Sequence, residues 1–229
     1  MKKRYLRNMS ALSEEDMVKL NKSRVCVIGC GGLGGYIIEM LARVGVGYIT
    51  AIDGDVFDET NLNRQLLCNI SNIGLNKADE ARNRIKVVNP DIVIDPIVEM
   101  IDESNVDILL KGHDLVVDAL DNIKTRRMLQ KHSSKLKIPM VHGAIAGFYG
   151  QVTTIYPEDN TLDLIYSGKS QLNKGIEKEL GNPSFTPALI ASIQVAEVIK
   201  VLLNKGEPLR KKVLFIDLLN NSFDVVDFS

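Results

Sequence analysis

The sequence predicts an α/β fold: a mainly parallel, twisted sheet with helices on both faces and an antiparallel extension at its C-terminal end. Three observations carry this prediction. Short apolar runs alternate with stretches of helical periodicity through most of the chain, an order that builds parallel sheets. Arg24 to Asp55 reads as strand, glycine turn, helix and a second strand ending in acid. Val213 to Leu218 and Phe223 to Val226, separated by Asn220-Asn221-Ser222, close as a hairpin. The first unit is Rossmann-like, and 229 residues fit one such domain with a large core.

The amino end, Lys3 to Asn8, precedes the first strand by some distance, and its own residues suggest exposed Arg4 and Arg7 with Tyr5 as an anchor. Ser13 with Asp16 caps a short helix through Leu20. Val25, Val27 and Ile28 then form an apolar run that stops at Gly29, as a buried parallel strand does. Gly29, Gly31 and Gly34 give G-x-G-x-x-G, with Gly32 and Gly35 beside them. Glycine permits the tight turn and lets backbone N–H groups approach a phosphate. Ile37, Ile38, Leu41 and Ala42 recur at helical spacing, and Gly45 and Gly47 end the helix. Tyr48 to Ile52 is the next strand, and Asp53 sits where an acid accepts a ribose hydroxyl.

Asp53-x-Asp55 is followed by Asn61-Leu62-Asn63-Arg64-Gln65. A hydride-transfer enzyme has no use for this polar cluster after its second strand, whereas a site that cleaves a triphosphate does. Arginine offers a planar, permanently charged fork for phosphate oxygens. Asn61 and Gln65 are uncharged partners for substrate or for the arginine. Gly74 to Asn89 is helical, with Ala78, Ala81, Ile85 and Val88 on one face. Lys77 lies in its first turn, where a cation gains nothing from the helix dipole, so it is either phosphate-facing or solvated.

Pro90-Asp91 breaks that helix, Ile92 to Ile94 is a third strand, and Ser104 to Leu110 a short helix. Asp114 to Leu120 is a strand whose carboxyl end delivers Asp118, Asp121 and Asn122. Ligands sit at such ends in open parallel sheets. Asp121 either serves Mg²⁺ or caps the helix Ile123 to Leu136, with Asn122 as the other candidate cap. Ile138 to His142 and Gly150 to Tyr156 are strands closed by Pro157. Glu158 to Thr186 is polar, holds Gly168, Gly175, Gly181 and Pro183, and reads as a long functional loop. Pro187 to Leu203 is a helix, apolar on most faces and thus packed on several sides.

Composition narrows the function. A formal charge of −1 argues against non-specific nucleic-acid binding. Met1 to Asn21 lacks the apolar core of a signal peptide, and Gln194, Glu197 and Lys200 interrupt the Pro187 helix, which argues against a membrane span. Cys26, Cys30 and Cys68 form no paired framework, so a reducing, cytoplasmic location is expected. His113, His132 and His142 are scattered without metal spacing, and no G-x-S-x-G exists.

Taken in order, these motifs resemble the ThiF/MoeB/HesA adenylyltransferases, the bacterial relatives of ubiquitin-activating enzymes. The resemblance covers nearly the whole chain: R-Y-x-R-N at Arg4 to Asn8, G-x-G-G-L-G at Gly29 to Gly34, D-x-D at Asp53 and Asp55, N-L-N-R-Q at Asn61 to Gln65, G-x-x-K at Gly74 to Lys77 and D-A-L-D-N at Asp118 to Asn122. Gly150-Gln151 and the Gln194-x-x-Glu197-x-x-Lys200 helix fit as well. The family activates the C-terminal Gly-Gly carboxylate of a small ubiquitin-like sulfur-carrier protein with Mg-ATP, releasing pyrophosphate, in thiamine, molybdopterin or related pathways. By resemblance, Gly29, Gly31, Gly32 and Gly34 with Asp53 hold ATP. Asp55, Asn61 and Gln65 lie nearby, Arg64 and Lys77 bind phosphates, and Asp121 serves Mg²⁺. Arg7 reaches across a homodimer. The implied parts are an N-terminal arm (1–23), a nucleotide-binding core (24–157), a crossover loop (158–186) and a C-terminal helix and hairpin (187–229).

Two departures are visible. The two C-x-x-C pairs that bind structural zinc in many relatives are missing, so no structural zinc is expected. The crossover loop holds no cysteine, so the chemistry is expected to stop at the adenylate, which a separate sulfur donor or nucleophile captures. Cys30, inside the phosphate turn, and Cys68, a small apolar filler, are poor attackers. Three other readings stand beside this one: a carboxylate on modified tRNA or a peptide as substrate, an NAD-dependent oxidoreductase, and a non-catalytic binding scaffold. The first lacks a basic face, and the second leaves Arg64, Lys77 and Asp121 without a shared purpose.

Overall fold

In the computed structural model, residues 2–166 and 177–228 are described. A 3-10 turn, Lys3–Asn8, leads into helix α1 (Glu14–Lys22). The capping box of Ser13 and Asp16 is formed as the spacing predicts. Tyr5 is the anchor of the arm: it is buried, and its hydroxyl accepts from Asn89 Nδ2 at 2.8 Å.

The alternation of strand and helix then builds the sheet. In chain order come β1 (Arg24–Ile28), α2 (Gly32–Val44), β2 (Tyr48–Ile52), α3 (Lys77–Val88), β3 (Val93–Ile97), α4 (Val106–Leu110), β4 (Leu115–Asp118), α5 (Ile123–Lys135), β5 (Met140–Ala146) and β6 (Tyr149–Ile155). After them stand α6 (Thr161–Ile165), α7 (Glu177–Leu180), α8 (Phe185–Leu203), β7 (Lys212–Asp217) and β8 (Ser222–Asp227). The eight strands lie in the order β3-β2-β1-β4-β5-β6-β7-β8. Pairing is parallel from β3 to β5 and antiparallel from β5 to β8, which is the expected architecture.

β1, β2, β4 and β5 bury apolar residues on both faces, and two cores result. One core sets Ile37, Ile38 and Leu41 of α2, Ala78, Ala81 and Ile85 of α3, and Ile190 and Val198 of α8 against Val25, Val27 and Val117. The opposite core packs Val106 and Leu110 of α4, Leu129 of α5 and Leu162 of α6 on Cys26, Ile28 and Val116. Helix α8 has the length and hydropathy of a membrane span. It is instead a core helix, packed on α2, β5 and β6 with Ile190, Ala191, Gln194 and Val198 fully buried.

Two expectations need correction. Glu158 to Thr186 is not one unstructured loop: α6 docks through Leu162, and α7 lies near β5. Both helices are too short for a 3.6-residue period to stand out in a polar sequence. The remaining part, 167–176, lies outside the described residues. The third strand extends to Ile97 and includes Pro96, which a strand at the sheet edge tolerates because one side of its backbone has no partner.

Candidate active site

The carboxyl ends of β1, β2 and β4 face one cleft of about 630 Å³. That volume lies within the range of ligand sites for small molecules. The turn after β1 is built by steric necessity. Gly29 has φ +96°, and a Cβ there would stand 2.7 Å from Ala119 O. A Cβ on Gly34 would stand 1.7 Å from Gly29 O, so α2 can approach β1 only without a side chain. Gly31 is the N-cap of α2 and supplies no side-chain cap. The first N–H groups of a 13-residue helix are thus left for an anion in the cleft.

Asp53 ties this turn to β2. Its Oδ2 accepts from Cys30 N at 2.7 Å and its Oδ1 from Asp55 N at 2.8 Å. Burial pushes its carboxyl above the ordinary aspartate range, and these two N–H groups partly offset that rise. Lys77, first residue of α3, places Nζ 3.1 Å from Asp55 Oδ2. Arg64 donates from Nη1 to Thr60 O and to Asn63 Oδ1, each at 2.9 Å, and lines the same cleft.

At the end of β4, the ambiguity over the cap of α5 is resolved. Asn122 Oδ1 accepts from Thr125 N at 3.1 Å and is the N-cap. Asp121 is exposed in the cleft wall and makes no hydrogen bond to another described residue. Among the described residues, no three His, Cys, Asp or Glu side chains gather to hold a metal by themselves. A single free carboxylate beside phosphate oxygens suits Mg²⁺, so Asp121 fits that ion.

The cleft therefore gathers Gly29, Gly31, Gly32, Asp53, Asp55, Arg64, Gln65, Lys77 and Asp121. It does not gather three of the expected residues. Gly34 works through the turn. Asn61 is buried, and its Oδ1 accepts from Asp58 N at 3.1 Å as half of a capping box that shapes the loop ahead of Arg64. Arg7 is exposed on the N-terminal turn, outside the wall of its own cleft. Nothing in the local sequence pattern marks the apolar lining by Met100, Ile101 and Leu120, or Asn182 beside them. Met100 and Ile101 follow an edge strand whose end is obscured by Pro96.

Behind the wall lies a buried polar layer. His142 Nδ1 is 2.7 Å from Asp118 Oδ2, and both side chains are fully buried. Burial pushes the imidazole below its ordinary pKa, so it is neutral, with Nδ1–H donating to the carboxylate. Burial disfavours the thiolate form of the cysteines. Cys30 is buried, and burial followed by the nearby Asp53 charge pushes its pKa well up. Desolvation raises Cys68 as well.

A glycine turn on a helix N-terminus, an acid closing β2, and the cations Arg64, Lys77 and Arg126 with the Asp121 carboxylate around one cleft define an enzyme of nucleotide transfer. A model of the ThiF family matches residues 5–229, and the chain belongs to that family as an adenylyltransferase. It is 36% identical over 228 residues to the SAMP-activating enzyme E1 of Haloferax volcanii, covering 98% of this chain and 84% of that one. It is 31% identical over 235 residues to the molybdopterin-synthase adenylyltransferase of Escherichia coli, covering 94% of both. Among solved structures, E. coli MccB with ATP superposes with a TM-score of 0.82 at 21% identity, over 100% of this chain and 72% of that one, a likeness of fold.

Proposed function

We propose that this enzyme uses ATP to adenylylate the C-terminal Gly-Gly carboxylate of a small ubiquitin-like sulfur-carrier protein. The observation that carries the reading is the convergence of Arg64, Lys77 and Asp121 on the cleft entered by the glycine turn. A carboxylate oxygen attacks the α-phosphorus of ATP, the bond to the β-phosphate oxygen breaks, and pyrophosphate leaves. No side-chain nucleophile and no proton transfer are needed, because the substrate arrives as an anion. The task of the protein is to hold two anions together and to stabilise charge as it builds.

The N–H groups of the glycine turn and of α2 bind phosphate, and Asp53 takes the ribose. Met100, Ile101 and Leu120 give the base an apolar slot. Arg64 and Lys77 neutralise the phosphates, with Asp55, Gln65 and Asn61 ordering the loops around them. Asp121 holds Mg²⁺, which when bound supplies Lewis-acid stabilisation to phosphate oxygens. Arg7 is supplied by the second subunit of a homodimer. The high thiol pKa of Cys30 supports an acyl-adenylate that leaves to a separate sulfur donor. We place the enzyme in the cytoplasm, serving thiamine, molybdopterin or a related sulfur pathway.

Pyrophosphate–ATP exchange tests this. Exchange should require a carrier ending in Gly-Gly and should fall by about 100-fold or more in Arg64→Ala, Lys77→Ala and Asp121→Ala. Exchange indifferent to all three removes the site. One observation favours a second substrate: over 138 residues, 60% of this chain, it is 38% identical to the tRNA threonylcarbamoyladenosine dehydratase of Haemophilus influenzae. ATP consumption stimulated by modified tRNA and not by the carrier would select that reading.

A further inference from the structure

The acid in the cleft has no hydrogen bond to a described residue, so something else fixes where it points. Its neighbour Leu120 is held at both ends. Leu120 N donates to Asp118 Oδ1 at 2.9 Å, and Arg126 Nη2 donates to Leu120 O. Asp118 is in turn held through Oδ2 by His142 Nδ1. The far side of that imidazole faces Tyr166, whose hydroxyl is 3.3 Å from Nε2. The same hydroxyl oxygen accepts from Arg126 Nη1 at 3.2 Å and from Gln151 Nε2 at 2.9 Å.

Arg126 only donates, so the Tyr166 oxygen is its acceptor. Gln151 Nε2 lies 2.9 Å from that oxygen and 3.3 Å from His142 Nε2, and the phenol stands 3.3 Å from the same ring nitrogen, so His142 Nε2 accepts from this pair. That nitrogen is an acceptor because Nδ1 carries the proton for Asp118. Both arms of the network, one through His142 and Asp118 and one through Arg126, start at one phenol and end on the two backbone groups of Leu120. A closed ring of this kind, in a buried setting, fixes its members more strongly than separate bonds would.

We propose that Tyr166 and His142 are positioning residues that hold the β4–α5 turn so that Asp121 points into the cleft. Neither residue lines the cleft. Tyr166 stands just after α6, 45 residues from Asp121 in sequence, so the start of the crossover region and the metal-side wall of the site are mechanically joined. The inference rests on the reading of Asp121 as the Mg²⁺ carboxylate, and the test separates the two.

The measurement pairs Tyr166→Phe with Asp121→Asn. In Tyr166→Phe, hydrogen exchange at the Leu120 amide should accelerate at least about tenfold in the protein without nucleotide, while amides of β1 stay protected. Its kcat for pyrophosphate–ATP exchange should fall about tenfold with the KM for ATP within about twofold, and half-saturation should need more Mg²⁺. His142→Asn, which keeps a short amide near Asp118 but does not reach Tyr166, should move the same readouts in the same direction and stands in if the first variant does not fold. Unchanged Leu120 protection overturns the proposal, whether or not kcat falls. A Mg²⁺ requirement unchanged in Asp121→Asn sinks the metal reading instead, and leaves the exchange result to judge the positioning of the turn.

Discussion

Lys77 Nζ lies 3.1 Å from Asp55 Oδ2, while the Lys77 backbone N–H donates to Asp55 O at 3.0 Å. The residue is thus clamped at both ends in the first turn of α3, where the helix dipole disfavours a cation. Its side chain is 10% exposed and that of Asp55 62%, so the ammonium is withdrawn from solvent toward the cleft. Asp55 is the anion that holds it there, and the proposed triphosphate is a second one. Lys77→Ala should reduce pyrophosphate–ATP exchange by about 100-fold or more, with unfolding temperature moved only a few degrees. Exchange within tenfold of the parent enzyme would remove Lys77 from the phosphate site.

Asp53 carries a pH dependence whose sign differs for folding and for binding. Burial raises its folded pKa above the unfolded value of about 3.9. Its contribution to stability is therefore fully present below the unfolded pKa and is lost as pH rises through the folded one. Binding runs the other way. As pH falls through the raised pKa, a proton occupies one oxygen, and either Cys30 N or Asp55 N loses its acceptor. Nucleotide affinity should then decline at a pH above the ordinary aspartate range while the fold persists, as calorimetric titration between about pH 4 and 7 can record. Asp53→Asn, which must turn an amide N–H toward one of those donors, should lower affinity at neutral pH about tenfold or more and flatten the profile. A wild-type profile already flat would contradict the role of Asp53 in the turn.

The glycine turn was legible in the sequence because glycine spacing reports sterics directly, and the 1.7 Å approach of a Gly34 Cβ to Gly29 O is the steric fact behind it. The capping box at Ser13 and the C-cap Gly45, with φ +105°, were equally local signals. What stayed hidden depends on partners distant in sequence. Asn61 looked like a ligand residue because a polar side chain in a loop is ambiguous until its acceptor, here Asp58 N, is located. His142 reads as stray for the same reason: its meaning comes from Asp118 on the neighbouring strand, Gln151 on the next and Tyr166 just after α6. Helices of four and five residues in the 158–186 stretch leave no sequence signal, because so few residues show no period.

Without the zinc pairs of many relatives, the C-terminal end needs another tie, and Arg210 supplies one. Its Nε donates to Asp159 Oδ2 at 2.9 Å and its Nη2 to Asp159 Oδ1 at 3.2 Å, and its guanidinium stacks 4.7 Å over the Tyr156 ring. Asp159 is almost wholly buried, so removing the arginine leaves a buried carboxylate whose remaining described donor is Tyr156 N. Arg210→Ala should cost about 1–3 kcal/mol, less than a fully buried pair because the arginine itself is 44% exposed. Calorimetry should show a fall of several degrees, and a smaller one when Asp159→Asn is added, because no uncompensated charge then remains. Chelators should leave the unfolding temperature of the parent protein unchanged. A chelator-induced fall, or a double variant less stable than the single one, would contradict this account.

Arg7 poses the last question. It is exposed on the 3-10 turn Lys3–Asn8, while its neighbours are pinned: Tyr5 is buried against Asn89, and Arg4 Nη1 lies 3.2 Å from Asp91 Oδ2. The turn is thus fixed on the body of the chain, with Arg7 outside the wall of the cleft. In the proposed homodimer, a cation held in this way meets the phosphates of the second subunit's cleft. The proposal predicts complementation. Arg7→Ala and Asp121→Ala should each be nearly inactive as homodimers. After denaturation and refolding together, about half of the molecules are heterodimers, each with one site that combines an intact Asp121 with the intact Arg7 of its mate, so exchange activity should return to about a quarter of the parent level. If mixed samples remain as inactive as the separate variants while size-exclusion and light scattering report dimers, Arg7 does not act across the interface.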